Sequence, residues 1–178
     1  MKRTVLIFGT IAGVIVSAFM ATSMAIMGCS SSTMNESTSM IIGFASMIIA
    51  FSFVFVGVKN FRDKQNDGVI SFGKAFLIGF LISLIASTLY VITWGIEFHF
   101  FMPDFMDKYA TMHIEQLKNT GMTGQELETA IEEMNSMSHS YKNNLLVFAM
   151  YTYMEILPVG IIITLISALI LKRKKSEV

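Results

Sequence analysis

The sequence is poor in charge, cysteine and proline. Only 15% of its 178 residues are charged, compared with about 25% in an average soluble domain. The single cysteine excludes an internal disulfide framework. Thirteen basic and thirteen acidic residues leave no net charge that would favour nucleic acid. In contrast, 53% of the residues are hydrophobic and the mean hydropathy is +0.61. A soluble domain of this size needs a more polar surface, so the composition predicts membrane-spanning segments.

Four stretches of the chain are long enough and apolar enough to cross a bilayer. Charged residues are absent from 4–35, 37–58 and 75–96, and residues 143–171 contain only Glu155. The hydrocarbon core is about 30 Å thick and takes about 20 helical residues. Helices are expected because lipid offers no hydrogen-bond partner to the backbone. We predict an all-α integral membrane protein, a single four-span domain over residues 1–178, with spans at about 5–27, 40–58, 75–96 and 145–171.

The distribution of Lys and Arg predicts the orientation of these spans. With four spans, the N-terminus, the second loop and the C-terminal tail lie on the same side of the membrane. By the positive-inside rule both termini are cytoplasmic, and residues 97–144 are extracytoplasmic. The side with the termini holds Lys2, Arg3, Lys59, Arg62, Lys64, Lys74, Lys172, Arg173, Lys174 and Lys175, whereas the other side holds only Lys108, Lys118 and Lys142.

The N-terminal segment also resembles a lipoprotein signal, because Lys2 and Arg3 precede an apolar run and Gly28 stands before Cys29. In that interpretation Cys29 becomes a lipidated extracytoplasmic N-terminus and three spans remain. However, the apolar run is about 23 residues long, against roughly 7–15 in a signal sequence. Met27 also stands where a small residue is usual. We expect a retained first transmembrane helix, although the charge count fits both interpretations.

Small residues recur at four-residue intervals in two of the spans, which places each set on one helical face. Lipid provides no hydrophobic drive for helix association, so faces that permit close approach are important. These faces predict packing within the chain, with a dimerisation seam as the alternative. The sets are Gly9, Gly13, Ser17, Ala21 and Ala25 in the first span, and Gly79, Ser83 and Ser87 in the third.

Residues 103–141 predict an extracytoplasmic cap of two amphipathic helices between the third and fourth spans. Pro103 suits a first helical turn, and we place the first helix at about 104–119, with its end marked by Gly121. Thr123 and Glu126 have the capping-box spacing for the second helix. Packing of the cap on itself explains the apolar stripes, and contact with a partner is the alternative. The stripes contain Phe105, Met106, Tyr109, Met112 and Leu117, and then Leu127, Ala130, Ile131, Met134, Met137 and Tyr141.

Glu155 is the strongest local anomaly, because it is the only charged residue in the fourth span. An ionised carboxylate near the bilayer centre costs about 2.5–3.5 kcal/mol on insertion scales, so we expect Glu155 to face the bundle. Pro158 has no N–H and deprives the carbonyl of Met154 of its helical partner. Polar residues at similar depth complete a candidate intramembrane site, which serves either structural hydrogen bonding or a proton or solute path. The site comprises Glu155, Pro158, Tyr151, Ser17, Ser46 and Ser87, with Thr88 at the same level and Tyr90, Thr93, Trp94 and Glu97 further out.

The sequence contains no enzyme signature. His99, His113 and His139 lack tight metal-ligand spacing. The chain has no phosphate-binding glycine loop, HExxH motif or nucleophile elbow. We therefore expect a protein without catalytic activity, cofactor or bound metal.

Five separated segments form a recognisable set: KNFRDK at 59–64, GVISFGKAF at 68–76, PDFMDKY at 103–109, EILPVG at 155–160 and ISALIL at 166–171. In this order, and with the basic tail, they resemble the bacterial membrane family called domain of unknown function 4199. The resemblance covers nearly the whole chain. It implies a small four-span protein of the bacterial inner membrane, and it supplies no activity.

Two functions remain open from the sequence. The first is an accessory or structural membrane module, in which the cap or the small-residue faces contact a membrane-protein partner or a second copy. The second is a small proton-linked transporter or channel that uses Glu155. The lipid bilayer surrounds the protein in both cases, and neither involves nucleic acid.

Overall fold

The chain is all-helical in the residues that the structure describes. The computed structural model describes the backbone of residues 1–29 and 36–173, and the side chains of residues 1–23 and 41–173. Within these residues there is one isolated β-bridge and no strand. The helices are α1 (Lys2–Cys29), α2 (Glu36–Gln65), α3 (Phe72–Phe100), α4 (Phe105–Asn119), α5 (Gln125–Asn143) and α6 (Leu145–Leu171).

Four of these helices, α1, α2, α3 and α6, are long and apolar enough to cross a membrane. They coincide with the four predicted spans, so the all-α membrane fold is confirmed. Helices α2 and α3 extend beyond their uncharged stretches at both ends, and α1 begins at Lys2, two residues before its uncharged stretch. The side chains of Ala25 and Cys29 and the cations at 174–175 lie outside the described residues.

The chain divides into two compact units. We call residues Met1–Trp94 with Tyr153–Val178 the bundle unit, and residues Gly95–Thr152 the hairpin unit. The bundle unit contains α1, α2 and most of α3 and α6. The hairpin unit contains α4, α5 and the adjoining ends of α3 and α6.

Small residues on α1 bring it into close contact with α3. A Cβ atom added at Gly9 would lie 2.9 Å from the Cβ of Ile85, and one added at Gly13 would lie 3.2 Å from the Cα of Ala86. Real Cβ atoms need more room than this, so only glycine permits the observed approach. The prediction of packing within the chain is confirmed for these two glycines, and this part of the face is not free to form a dimerisation seam.

The small residues of α3 likewise allow α3 to pack closely against α6 and α2. A Cβ atom added at Gly79 would lie 2.8 Å from Thr164 and 3.1 Å from Val54. Ser83 is fully buried, and its hydroxyl lies 3.1 Å from the Thr164 hydroxyl and 3.3 Å from the carbonyl oxygen of Gly160. Helix α3 therefore contacts each of the other three spanning helices of the bundle unit.

The start of α1, the residues just after α6 and the second loop meet at one end of the bundle unit. The N-terminal ammonium donates to Gln65 at 3.0 Å, and the backbones of Ile70 and Arg173 exchange two hydrogen bonds of 3.0 and 2.9 Å. The loop turns at Asp67 and Gly68, which both have positive φ, as the Asn-Asp-Gly sequence is typical of. These contacts group the start of α1 and the end of α6 with the second loop, as a chain with four spans requires.

The helix limits predicted for the hairpin unit agree with the structure, but the predicted capping box of its second helix does not. Helix α4 begins just after Pro103 and ends before Gly121, which has a φ of +87°. The capping box at Thr123 is wrong: Gly124 occupies the N-cap position with a φ of +66°, and no side chain caps α5. Glycine reaches this backbone conformation easily, whereas threonine does not.

Helices α4 and α5 pack against each other. Met106 and Ala110 are the buried residues of α4, and Ser138 is the buried residue of α5. The apolar stripe of α5 is half-buried, as expected for a hairpin that packs on itself, whereas Met112 is exposed and does not belong to the α4 stripe. At the helix ends, the ring of Phe98 lies 5.4 Å from Tyr141 and 5.5 Å from Phe148.

Candidate functional site

Glu155 lies near the middle of α6. It stands ten residues after Leu145 and sixteen before Leu171, which corresponds to about 15 Å and about 24 Å along the helix at about 1.5 Å per residue. The helix continues through Pro158 without interruption. A carboxyl group therefore occupies the central part of a helix that is otherwise free of charge.

The Glu155 side chain lies at the surface of the bundle unit, beside α3, so the expectation that it faces the bundle is met only by its carboxyl group. The residue is exposed, although its carboxyl group accepts a hydrogen bond from the hydroxyl of Tyr90 on α3. The interior face of α6 is formed by Ile156, Gly160 and Thr164, which are all buried. Glu155 precedes this row by one residue, about 100° around the helix, so it points to the edge of the α3–α6 contact.

The three serines predicted at the depth of Glu155 do not bind it. Ser46 donates to the carbonyl oxygen of Gly43 in its own helix at 2.6 Å. Ser87 is fully buried, and neither its hydroxyl nor that of Ser17 has a hydrogen-bond partner within the part of the chain that the structure describes. A shared depth in the membrane was therefore not sufficient to predict which residue forms a hydrogen bond with Glu155.

Two further hydroxyl contacts join α3 and α6 within the bundle unit. Thr88 and Tyr153 lie 2.8 Å apart through their hydroxyl oxygens, in addition to the pair formed by Ser83 and Thr164. Thr88 also donates to the backbone of Leu84. Sequence reasoning placed Thr88 at the right level, but it did not pair Tyr153 with it, because the rotation of each helix about its axis was unknown.

The surface around Glu155 on α6 is apolar. We call the exposed residues Met154, Glu155, Pro158, Ile162 and Ile166 the α6 face. Because Pro158 lacks an N–H, the carbonyl oxygen of Met154 receives no helical hydrogen bond. The α6 face therefore presents two groups of acceptors, the carboxylate and this carbonyl, within a hydrocarbon surface.

The hairpin unit holds the remaining predicted residue and a separate cleft. Tyr151 is exposed there, with its ring 6.2 Å from that of Tyr141. A cleft of about 340 Å³ lies between α4 and α5 and includes the ion pair of Asp107 and Lys142, 2.5 Å apart. His139 also lines the cleft. Across the described residues, no three His, Cys, Asp or Glu side chains are grouped so that they could hold a metal ion.

Glu97 is a second acid near the end of a spanning helix. It belongs to the hairpin unit and is only 9% exposed. One of its carboxylate oxygens is buried and has no hydrogen-bond partner among the residues described. This arrangement is unfavourable, because a buried acceptor that loses water and gains no donor keeps its full desolvation cost.

Comparison with known proteins identifies the family. Residues 7–173 match the model of a family described as a protein of unknown function, DUF4199. The chain belongs to this family. No curated protein matches it, and no solved structure does.

The DUF4199 match covers all of the candidate site. It begins within α1 and ends after α6, so it includes Ser17, Ser46, Ser87, Tyr90 and Glu155. Most of α1 is thus part of the sequence that defines DUF4199.

Proposed function

We propose that this DUF4199 protein is a non-catalytic accessory protein of the bacterial inner membrane, which binds another membrane protein through the α6 face. Both termini are cytoplasmic, and residues 97–144 are extracytoplasmic. The observation that carries the proposal is the exposure of Glu155 in the middle of α6. An acid at this position needs hydrogen-bond donors, of which the described part of the chain supplies one, the hydroxyl of Tyr90.

Parts of the other candidate surfaces are used in packing within the chain. Gly9 and Gly13 pack against α3, and Gly79 packs against α6 and α2. The stripe of α5 is half-buried in a hairpin that packs on itself. Of the surfaces that the sequence offered for a partner, the glycines of the small-residue faces and half of the α5 stripe are thus used within the chain, which favours the α6 face.

The energetics of the bilayer support coverage of this face. An ionised carboxylate at the centre of a spanning helix costs about 2.5–3.5 kcal/mol on insertion scales, and more by other methods. Tyr90 donates one hydrogen bond, while the carboxylate can accept several. A second helix that covers the face and donates to Glu155 lowers this cost.

Photo-crosslinking in living cells tests the proposal. A photoreactive amino acid is placed at Ile162 on the α6 face, and in a control protein at Leu6 on α1, since the two positions are similarly exposed at 56% and 59%. We expect a discrete protein adduct from position 162 that is absent from position 6 and falls several-fold in the Glu155→Gln variant. Adducts that are identical at both positions, or that do not depend on Glu155, would contradict the proposal.

A proton-linked transporter is the second candidate, and the hydroxyl contacts around Glu155 favour it. Tyr90 binds Glu155, and Thr88 and Tyr153 form a further pair between the same two helices. This function predicts that purified protein in vesicles dissipates a pH gradient and that Glu155→Gln abolishes the flux. Equal proton flux through wild-type, variant and protein-free vesicles would exclude it.

A further inference from the structure

We infer that the partner contributes a lysine or arginine from one of its transmembrane helices, and that this cation binds Glu155 at the α6 face. The inference rests on the function proposed above and specifies the chemistry of the partner. It follows from three properties of the α6 face: its hydrogen-bonding character, its charge and its apolar surroundings.

The polar groups of the α6 face are acceptors. The Glu155 carboxylate has more lone pairs than Tyr90 can satisfy with its one hydroxyl. The carbonyl of Met154, one residue earlier, lacks its helical donor because position 158 is proline. Lysine and arginine side chains carry several donors and no acceptor, so either one complements this pair of groups.

A second copy of the chain cannot provide that cation within the membrane. Residues 4–35, 37–58 and 75–96 contain no charged residue, and residues 143–171 contain only Glu155. A symmetric contact between two α6 faces would bring two carboxyl groups together, and like charges at close range repel. The cation must therefore come from a different protein.

The surroundings of Glu155 specify the rest of the partner helix. Met154, Ile162 and Ile166 are 70%, 56% and 51% exposed, and they form an apolar surface before and after the acid. Intramembrane ionisable residues are rare and usually pair with one another. The matching element is an apolar helix with a single basic residue at the depth of Glu155.

A synthetic helix with known chemistry tests the inference directly. The full-length protein and a Leu/Ala-rich transmembrane peptide with one central lysine are labelled for energy transfer and reconstituted in phosphatidylcholine vesicles, which carry no net charge. One control peptide has leucine in place of the lysine, and another has the lysine moved two turns toward one end. We expect the central-lysine peptide to bind at least about tenfold more tightly than either control, equivalent to about 1.4 kcal/mol.

Variants of Glu155 identify the site. Glu155→Gln keeps an acceptor for Tyr90 and should reduce binding of the central-lysine peptide to the level of the leucine control. Glu155→Lys should abolish binding of the lysine peptide and create binding of a peptide with a central glutamate. Circular dichroism of each variant checks that the helices persist, and the reciprocal gain shows that the charge-reversed protein is folded.

Several results would overturn the inference. They are equal binding of the lysine and leucine peptides, a lysine preference that survives Glu155→Gln, and self-association through Glu155 that excludes the lysine peptide. If the adduct at position 162 depends on Glu155 while the peptide shows no lysine preference, only the inference fails. If the peptide prefers lysine but no such adduct forms in cells, the site has the inferred chemistry and the proposed function fails.

Discussion

Replacing Gly9 with alanine adds one methyl group where α1 meets α3. The new Cβ atom would lie 2.9 Å from the Cβ of Ile85 and 3.3 Å from the carbonyl oxygen of Ile82. Carbon atoms pack at about 3.5–4.0 Å, so the first contact is short by at least about 0.6 Å. The Cβ of Ile85 is fixed to the backbone and cannot rotate away, so the two helices must separate.

The cost of this separation is that of overpacking a core, about 1–3 kcal/mol. Helix propensity contributes little to the difference, because transmembrane helices remain formed when they dissociate within a membrane or micelle. We therefore expect Gly9→Ala to lower the free energy of unfolding by about 1–3 kcal/mol. Gly43→Ala is the matched control: its Cβ would have no neighbour within 4 Å among the residues that the structure describes, and its effect should stay within about 0.5 kcal/mol.

Reversible unfolding of the purified protein by dodecyl sulfate in mixed micelles measures both variants. The only tryptophan, Trp94, is 8% exposed in the bundle unit and reports loss of packing through its fluorescence. Equal stability of the two variants would refute the close packing of α1 on α3. A lower oligomeric mass for Gly9→Ala with unchanged unfolding would favour a dimerisation seam instead.

Three further tests examine other parts of the chain by the same unfolding measurement. Gly68→Ala should lower the free energy of unfolding by about 1–2 kcal/mol, because position 68 has a φ of +74°. Gly73→Ala, whose added Cβ meets no described neighbour within 4 Å, should be neutral or slightly stabilising. A double-mutant cycle of Ser83→Ala and Thr164→Val should give a coupling of about 0.6 kcal/mol, typical of hydrogen bonds between membrane helices; zero coupling would show that the 3.1 Å contact adds no stability. Glu97→Met should raise the free energy of unfolding by about 1–3 kcal/mol, since it removes a buried acceptor without a partner, and a loss of stability would mean that Glu97 is satisfied.

The helices were predictable from sequence because the bilayer imposes a strict requirement. Runs without charge located all four spans, and the intervals between small residues anticipated close packing at Gly9, Gly13 and Gly79. The helix ends were less predictable, since α2 continues to Gln65, beyond its last apolar residues. Thr123 shows the limit of motif spacing: the chain uses the backbone freedom of Gly124 instead of a side-chain cap.

The candidate site was predictable in its main residue and not in its geometry. Glu155 and Pro158 stood out by charge and by the missing N–H. Counting residues from the membrane surface predicted the depth of a hydrogen-bond partner on α3 to within about one helical turn, and it pointed to Ser87. Tyr90 lies three residues further along the same face of α3, and its longer side chain reaches the acid. Helix rotation decides such contacts, and it depends on packing between segments far apart in sequence.

The central position of α3 has a consequence for the order in which the protein assembles. During synthesis α1 and α2 are made first, and Gly9 and Gly13 have no surface to contact until α3 enters the membrane. Helix α6 follows only after all of α4 and α5 has been made. The bundle unit therefore stays incomplete for as long as the hairpin takes to be synthesised. During this time Gly79 and Ser83 lack their contacts with α6 and face lipid. We expect quality-control proteases of the membrane to act on this half-assembled state, so that substitutions in α3 shorten the lifetime of the protein more than equally disruptive ones in α1.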